Sequence, residues 1–181
     1  MTFDPQKAQH LYIEEDKKNP KHLGKEYAVF EKYDGWYGYC NLANGVIHSR
    51  ANRPIPSCEA LSREIYHLCM KHGIISGTLV FEILLRSTKD FSTLNGILNR
   101  TVGDYIAKDV YIKVHDWIPQ NDSGVPFSSR FTEAEFIVNM LDSPNIEIAD
   151  YKARSKSPEV WKSHAEHIWS DGGEGVILKQ W

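Results

Sequence analysis

The sequence predicts an α+β fold of largely antiparallel sheets flanked by helices. Strand-like and helix-like segments are mixed along the 181 residues without a regular βαβ alternation. Turn signals such as Asp34-Gly35, Asn44-Gly45 and Gly172-Gly173 join strand-like runs to their neighbours.

Residues 1–25 read as a polar helix followed by a connector rich in lysine and proline, and 26–181 as one domain. From Tyr27 to Cys40 the β-type residues around Asp34-Gly35 predict two strands in a hairpin-style arrangement. Residues 41–50 add a strand after Asn44-Gly45. Leu61, Ile65, Leu68 and Cys69 predict a helix over 57–72, with Ser57 able to cap it and Gly73 ending it. Ile74 to Leu85 is a long apolar strand interrupted by Glu82. A short helix follows over 91–99, with Phe91, Leu94 and Leu98 on one side. A strand is predicted over 110–118, then a helix over 132–141 and a short strand over 146–149. The chain closes with a helix over 158–169 and a strand over 175–178.

Composition excludes several classes. Hydrophobic residues are 41% and charged residues 25%, as in ordinary globular domains. No apolar run approaches the roughly 20 residues that span a bilayer, and the first 20 residues lack the apolar core of a secretory signal. These features predict a cytoplasmic protein with no membrane partner. The three cysteines, Cys40, Cys58 and Cys69, lack metal-ligand spacing and suit packing in a reducing compartment. The net charge of −3 argues against coating nucleic acid by bulk charge.

Three landmarks carry chemistry. Lys32 ends an apolar strand just before Asp34-Gly35, where a nucleophilic amine can stand at a sheet rim; a surface lysine before a turn is the plain alternative. Glu82 is an acid inside an apolar strand, costly unless paired or bound to a ligand; a solvent-facing edge position is the alternative. Gly172-Gly173-Glu174-Gly175 delivers an acid at the start of an apolar strand that ends in Lys179; incidental charges around a glycine turn are the alternative. Strand alternation places Glu174 and Val176 on one face and Lys179 on the other, unless the strand ends or twists.

Taken in order, Lys32-Tyr33-Asp34-Gly35, the strand acid Glu82, the strand over 110–118 and the segment from Glu174 to Lys179 resemble the covalent nucleotidyltransferases. That superfamily contains DNA ligases, RNA ligases and mRNA capping enzymes. The resemblance runs from about Ala28 to Lys179. The flanks HSRANRPIP, DFSTLNGILNR and YIKVHDWIP are most similar to small ATP-dependent DNA ligases of the phage type.

The resemblance implies an ATP-grasp-like nucleotidyltransferase domain, with ATP and Mg²⁺ as cofactors and nicked double-stranded DNA as partner. It implies lysyl-adenylate chemistry in DNA replication, repair and recombination. Lys32 stands in the place of the adenylated lysine. Arg50 corresponds to an arginine that contacts ribose or phosphate. Glu82 and Glu174 correspond to acids near the metal, Glu82 also near the ribose. His115 occupies the adenine-stacking place, and Lys179 closes the last motif present and meets phosphate.

The chain also departs from the pattern. Trp36 and Tyr37 follow Gly35, where many ligases carry an arginine two residues after the Asp-Gly pair. Phe81 replaces a glycine before the strand acid. A shifted alignment would put Thr78 at that motif, but Thr78 has no carboxylate and Glu82 has the better spacing to Asp90-Phe91. The motif with two further lysines and the OB-fold domain are expected from another part of the polypeptide or a second chain.

An RNA ligase shares the same landmarks, and a capping enzyme would use GTP instead. An NAD-dependent ligase would carry an additional nicotinamide-binding module. A non-catalytic nucleotidyltransferase-like subunit is the alternative from another class. Trp117, Trp161 and Trp169 are expected as packing anchors, His164 and His167 as a solvated face, and Lys152, Arg154 and Lys156 as a solvated charge run.

Overall fold

The computed structural model describes residues 24–120 and 124–181. The helix expected within the first 25 residues lies almost wholly outside the described residues. Strands and helices follow one another in the mixed order expected, and among the described residues five of the six pairings between neighbouring strands are antiparallel and one is parallel.

The chain divides into two compact units. One contains the described residues up to Tyr33 together with Asp150–Trp181, and the other contains Asp34–Ala149. In the first unit, β1 (Tyr27–Glu31) is the centre of a three-stranded sheet between β7 (Tyr151–Ser155) and β8 (Val176–Gln180). Both neighbours run antiparallel to it. Helix α4 (Pro158–Ser170) packs on this sheet through Trp161, which meets Tyr27 edge to face at 5.2 Å. Trp161, Tyr27 and Val29 form a small core joined by Ala153, Val176 and Leu178.

The second unit holds a five-stranded sheet in the order β3 (Val46–Ser49), β2 (Trp36–Asn41), β4 (Thr78–Leu85), β5 (Val110–Ile118), β6 (Ile146–Ile148). Only β5 and β6 pair in parallel. Leu79, Phe81, Ile83 and Leu85 alternate along β4 into the main core. That core receives Leu61, Ile65 and Cys69 from α1 (Glu59–Lys71), Leu94 and Leu98 from α2 (Phe91–Leu98), and Ala134, Ile137, Val138 and Leu141 from α3 (Phe127–Leu141). The same alternation turns Glu82 away from these helices.

Several local expectations are corrected. The strands flanking Asp34-Gly35 form no hairpin with each other, because β1 and β2 belong to different sheets. Gly35 is needed for close approach: a Cβ there would lie 2.9 Å from the carbonyl oxygen of Ile83 and 3.2 Å from Glu82 Cβ. Ser57 does not cap α1. It is fully buried in a preceding 3₁₀ turn, and its hydroxyl donates to the Leu98 carbonyl at 3.0 Å. Helix α3 begins at Phe127 rather than Thr132, directly after Pro126, and buries Phe127 and Phe131. Phe91 is exposed, leaving Leu94 and Leu98 as the buried side of α2.

The charge run at Lys152 and Arg154 is part of β7, an edge strand. Lys152 pairs with Glu31 at 3.2 Å and Arg154 with Glu26 at 2.8 Å. Alternating charge suits an edge that must not recruit another strand.

Candidate active site

In the first unit, the end of β1 presents Lys32. Its backbone N–H donates to the Gly175 carbonyl at 2.9 Å, continuing the β1–β8 ladder one residue beyond the strand. Its ammonium forms an ion pair with Glu174. Both side chains remain accessible, at 43% and 37% exposure. Sequence alternation alone does not bring Glu174 to Lys32. Strand β8 starts at Val176, and Gly175 at φ +124° interrupts the alternation between Glu174 and Val176.

Trp169, more than half exposed, fixes this turn. Its indole N–H donates to the Glu174 carbonyl at 2.9 Å. Trp169 is therefore an anchor of the acid, while Trp117 and Trp161 are buried as expected. Lys179 stands opposite Ala28 in the ladder, with its amine 5.9 Å from the centre of the Phe30 ring.

Tyr33 follows the lysine and closes its other flank. Its hydroxyl donates to Asp150 Oδ2 at 2.5 Å and accepts from the Asp150 backbone N–H at 2.7 Å. Burial first, and the Asp150 carboxylate second, push the phenol above its ordinary range. Lys32 is thus flanked by two fixed points, one at Gly175 and one at Asp150.

In the second unit, Glu82 lies between Tyr37 on β2 and Lys113 on β5. The Arg50 guanidinium lies over the Tyr37 ring at 4.6 Å, and the His115 ring is 6.1 Å from the same ring. The β4–β5 register passes from Phe81 opposite Val114 to Val80 opposite Asp116, so His115 is the extra residue of a β-bulge. Bulges re-aim side chains beside functional sites. Arg50, Glu82 and His115 therefore gather around one aromatic side chain that the sequence pattern marked only as a departure. Thr78, the alternative to Glu82, begins β4 and is buried.

Burial raises the Tyr37 phenol, while Arg50 opposes that shift and Glu82 and Asp116 add to it. Asp116 is held by both a 2.9 Å and a 3.1 Å bond from Arg130. A cavity of about 200 Å³ elsewhere in this unit is lined by Leu85, Ile97, Arg100, Tyr105 and Lys108, and includes none of the expected site residues.

Glu174 in the first unit and Glu82 in the second are each a hard oxygen donor of the kind Mg²⁺ takes. Such an ion commonly takes only one or two protein carboxylates and completes its shell with water and substrate phosphate. Among the described residues, no group of three His, Cys, Asp or Glu is arranged to hold a metal. His167 instead lies 3.8 Å from Asp171 on an exposed helix face. Among the described residues no helix is long and apolar enough to cross a membrane.

No protein-family model matches the sequence, and no curated protein matches it. Solved structures do. A structure described as a Lig E DNA ligase shares 19% identity at a TM-score of 0.71, covering 99% of this chain and 62% of that one. The ATP-dependent DNA ligase of bacteriophage T7, in complex with ATP, shares 18% identity at 0.65, covering 88% and 58%. An archaeal ATP-dependent RNA ligase shares 16% at 0.59, covering 90% and 42%. This chain spans less than two thirds of the length of each. Its α+β fold is that of the nucleotidyltransferase domains of ATP-dependent polynucleotide ligases.

Proposed function

We propose that this chain is the adenylation core of an ATP-dependent DNA ligase, with residues 26–181 forming one nucleotidyltransferase domain from its two compact units. The contact between Lys32 and Glu174 carries the reading. It joins the expected nucleophile to the expected acid at the end of a fixed strand.

In the proposed reaction, deprotonated Lys32 attacks the α-phosphorus of ATP. An Nζ–phosphorus bond forms, the bond to the β-phosphate bridging oxygen breaks, and pyrophosphate leaves. A 5′-phosphate oxygen of nicked DNA next attacks the adenylate phosphorus and releases the lysine. The 3′-hydroxyl then attacks the activated 5′-phosphate, and AMP departs as the strand is sealed.

Arg50 and Lys179 neutralise phosphate charge, Glu82 meets the ribose, and His115 stacks on adenine. Mg²⁺, held by Glu82 and Glu174, would neutralise charge on phosphate oxygens. Binding to nicked double-stranded DNA would rest on phosphate contacts and weaken with salt. A further region of the polypeptide or a second chain would supply the last lysine motif and the DNA-clamping OB-fold.

The test is incubation with Mg²⁺ and α-labelled ATP beside Lys32→Ala. Wild type should acquire an acid-labile label and the variant none. A label retained by Lys32→Ala, or no label on wild type even with a ligase C-terminal region added, would overturn the reading. The fold shared with the archaeal RNA ligase favours RNA as the second substrate class. Sealing of matched nicked DNA and nicked RNA separates the two.

A further inference from the structure

Tyr37 occupies the place where the ligase pattern carries an arginine, and its surroundings give that exchange a physical meaning. Its phenol ring lies under the Arg50 guanidinium at 4.6 Å. Arg50 is exposed and belongs to the turn after β3. That turn is closed by the bond from Ser49 N–H to the Arg53 carbonyl at 2.8 Å and from Asn52 N–H to the Ser49 carbonyl at 2.9 Å. Asn52, at φ +56°, also accepts from the Tyr39 hydroxyl. Tyr39 in turn stacks on His48 at 5.4 Å. The backbone carrying Arg50 is therefore tied back to β2.

We propose that Tyr37 is a positioning residue that holds Arg50 by the face of its guanidinium and leaves the N–H edge to take a phosphate oxyanion. Stacking uses the flat face of the ion, whereas its five N–H donors lie in the plane. Among the described residues, Arg50 makes no hydrogen bond and no ion pair, so those donors are uncommitted. Of the two acids nearest Tyr37, Asp116 is engaged by Arg130, and Glu82 stands opposite Lys113 in the sheet. An arginine at position 37 would bring a second cation; tyrosine instead spends its side chain on orienting one.

The inference rests on the ligase reading for the source of the phosphate, which is either ATP or nicked DNA. Equilibrium titrations in EDTA separate these sources without turnover. The probes are ATP and a nicked DNA duplex. The proteins are wild type, Tyr37→Phe, Tyr37→Leu, Arg50→Lys and the Tyr37→Leu/Arg50→Lys double variant.

Tyr37→Phe keeps the ring and should bind within about 2-fold of wild type, whereas Tyr37→Leu and Arg50→Lys should each weaken one probe by about 5- to 30-fold. The double variant should bind no more weakly than the worse single one. The Arg50 Nε–H resonance should move with the affected probe in wild type and Tyr37→Phe, but not in Tyr37→Leu. The probe that is weakened identifies the phosphate source.

Wild-type affinity for both probes in Tyr37→Leu would overturn the proposal, as would fully additive losses. Wild type binding neither probe would overturn it as well. Failure of the ligase reading is separately visible as a wild-type chain that binds ATP but never labels Lys32.

Discussion

Lys32 and Glu174 lie 142 positions apart in the chain and meet as an ion pair. The Lys32 backbone is bonded to Gly175, so both side chains are placed by the same ladder. An ion pair this exposed contributes only about 0–1 kcal/mol to stability. In the proposed reaction its value is positional, because attack would require the amine to leave the carboxylate and face the α-phosphorus.

Glu174→Gln should therefore separate function from stability. Lys32 labelling should slow by about 10- to 100-fold, as when a group supporting a metal or reactive side chain is lost. The melting temperature should fall by less than about 4 °C. Single-turnover labelling and thermal melts on the same preparation measure both. Labelling at the wild-type rate would remove Glu174 from the site.

Gly175 and Gly96 should respond to alanine in opposite directions. At Gly175, φ is +124° and a new Cβ would lie 3.0 Å from the Trp169 indole nitrogen. The strain should cost about 1–3 kcal/mol and displace Glu174. Gly96 lies in α2 with open space around its Cβ direction, so alanine there should add about 0.5–1 kcal/mol. Urea unfolding of the two variants tests the contrast. Equal effects would mean that the Gly175 conformation is not required.

The elements most legible in the sequence were those whose pattern was local. The strand at Val110–Ile118 and the apolar strand interrupted by Glu82 follow directly from residue order. The site was legible as separate landmarks because their order is linear. Their contacts were less so. The left-handed backbone at Gly175, which carries Glu174 to Lys32, leaves no periodic signal. The Arg50–Tyr37 stack joins residues on neighbouring chain segments whose register depends on the whole sheet. Asp34-Gly35 misled because the same dipeptide suits a hairpin turn and a close backbone approach.

Tyr33→Phe should destabilise the chain by about 1–3 kcal/mol, because it leaves the Asp150 N–H and carboxylate without their phenol partner. The effect should depend on pH. Burial and Asp150 keep the native phenol protonated above the ordinary tyrosine range. This contribution is fully present below the unfolded value of about 10 and is lost as pH rises toward the native value. Wild type should therefore lose stability above about pH 10 more steeply than Tyr33→Phe. Tyr37 is also raised and is retained in both proteins, so it leaves a common alkaline slope. Identical slopes in chemical denaturation across that range would contradict this account.

The three cysteines should report unfolding without entering the chemistry. Cys40, Cys58 and Cys69 are all buried and free. Burial pushes their thiols up to about 12, 12 and 11, respectively. Because the thiolate is the reactive form, a thiol reagent at pH 8 should modify none of them rapidly in the native chain. Denaturant should release all three, with native-state modification limited by local opening or unfolding. Their protonated burial contributes stability below the ordinary thiol value of about 8.5, and that contribution is lost as pH rises through the native values. Rapid native modification of one thiol would locate an opening in the main core. Retention of Lys32 labelling in a Cys40→Ala/Cys58→Ala/Cys69→Ala variant that remains folded would separate this packing role from adenylation.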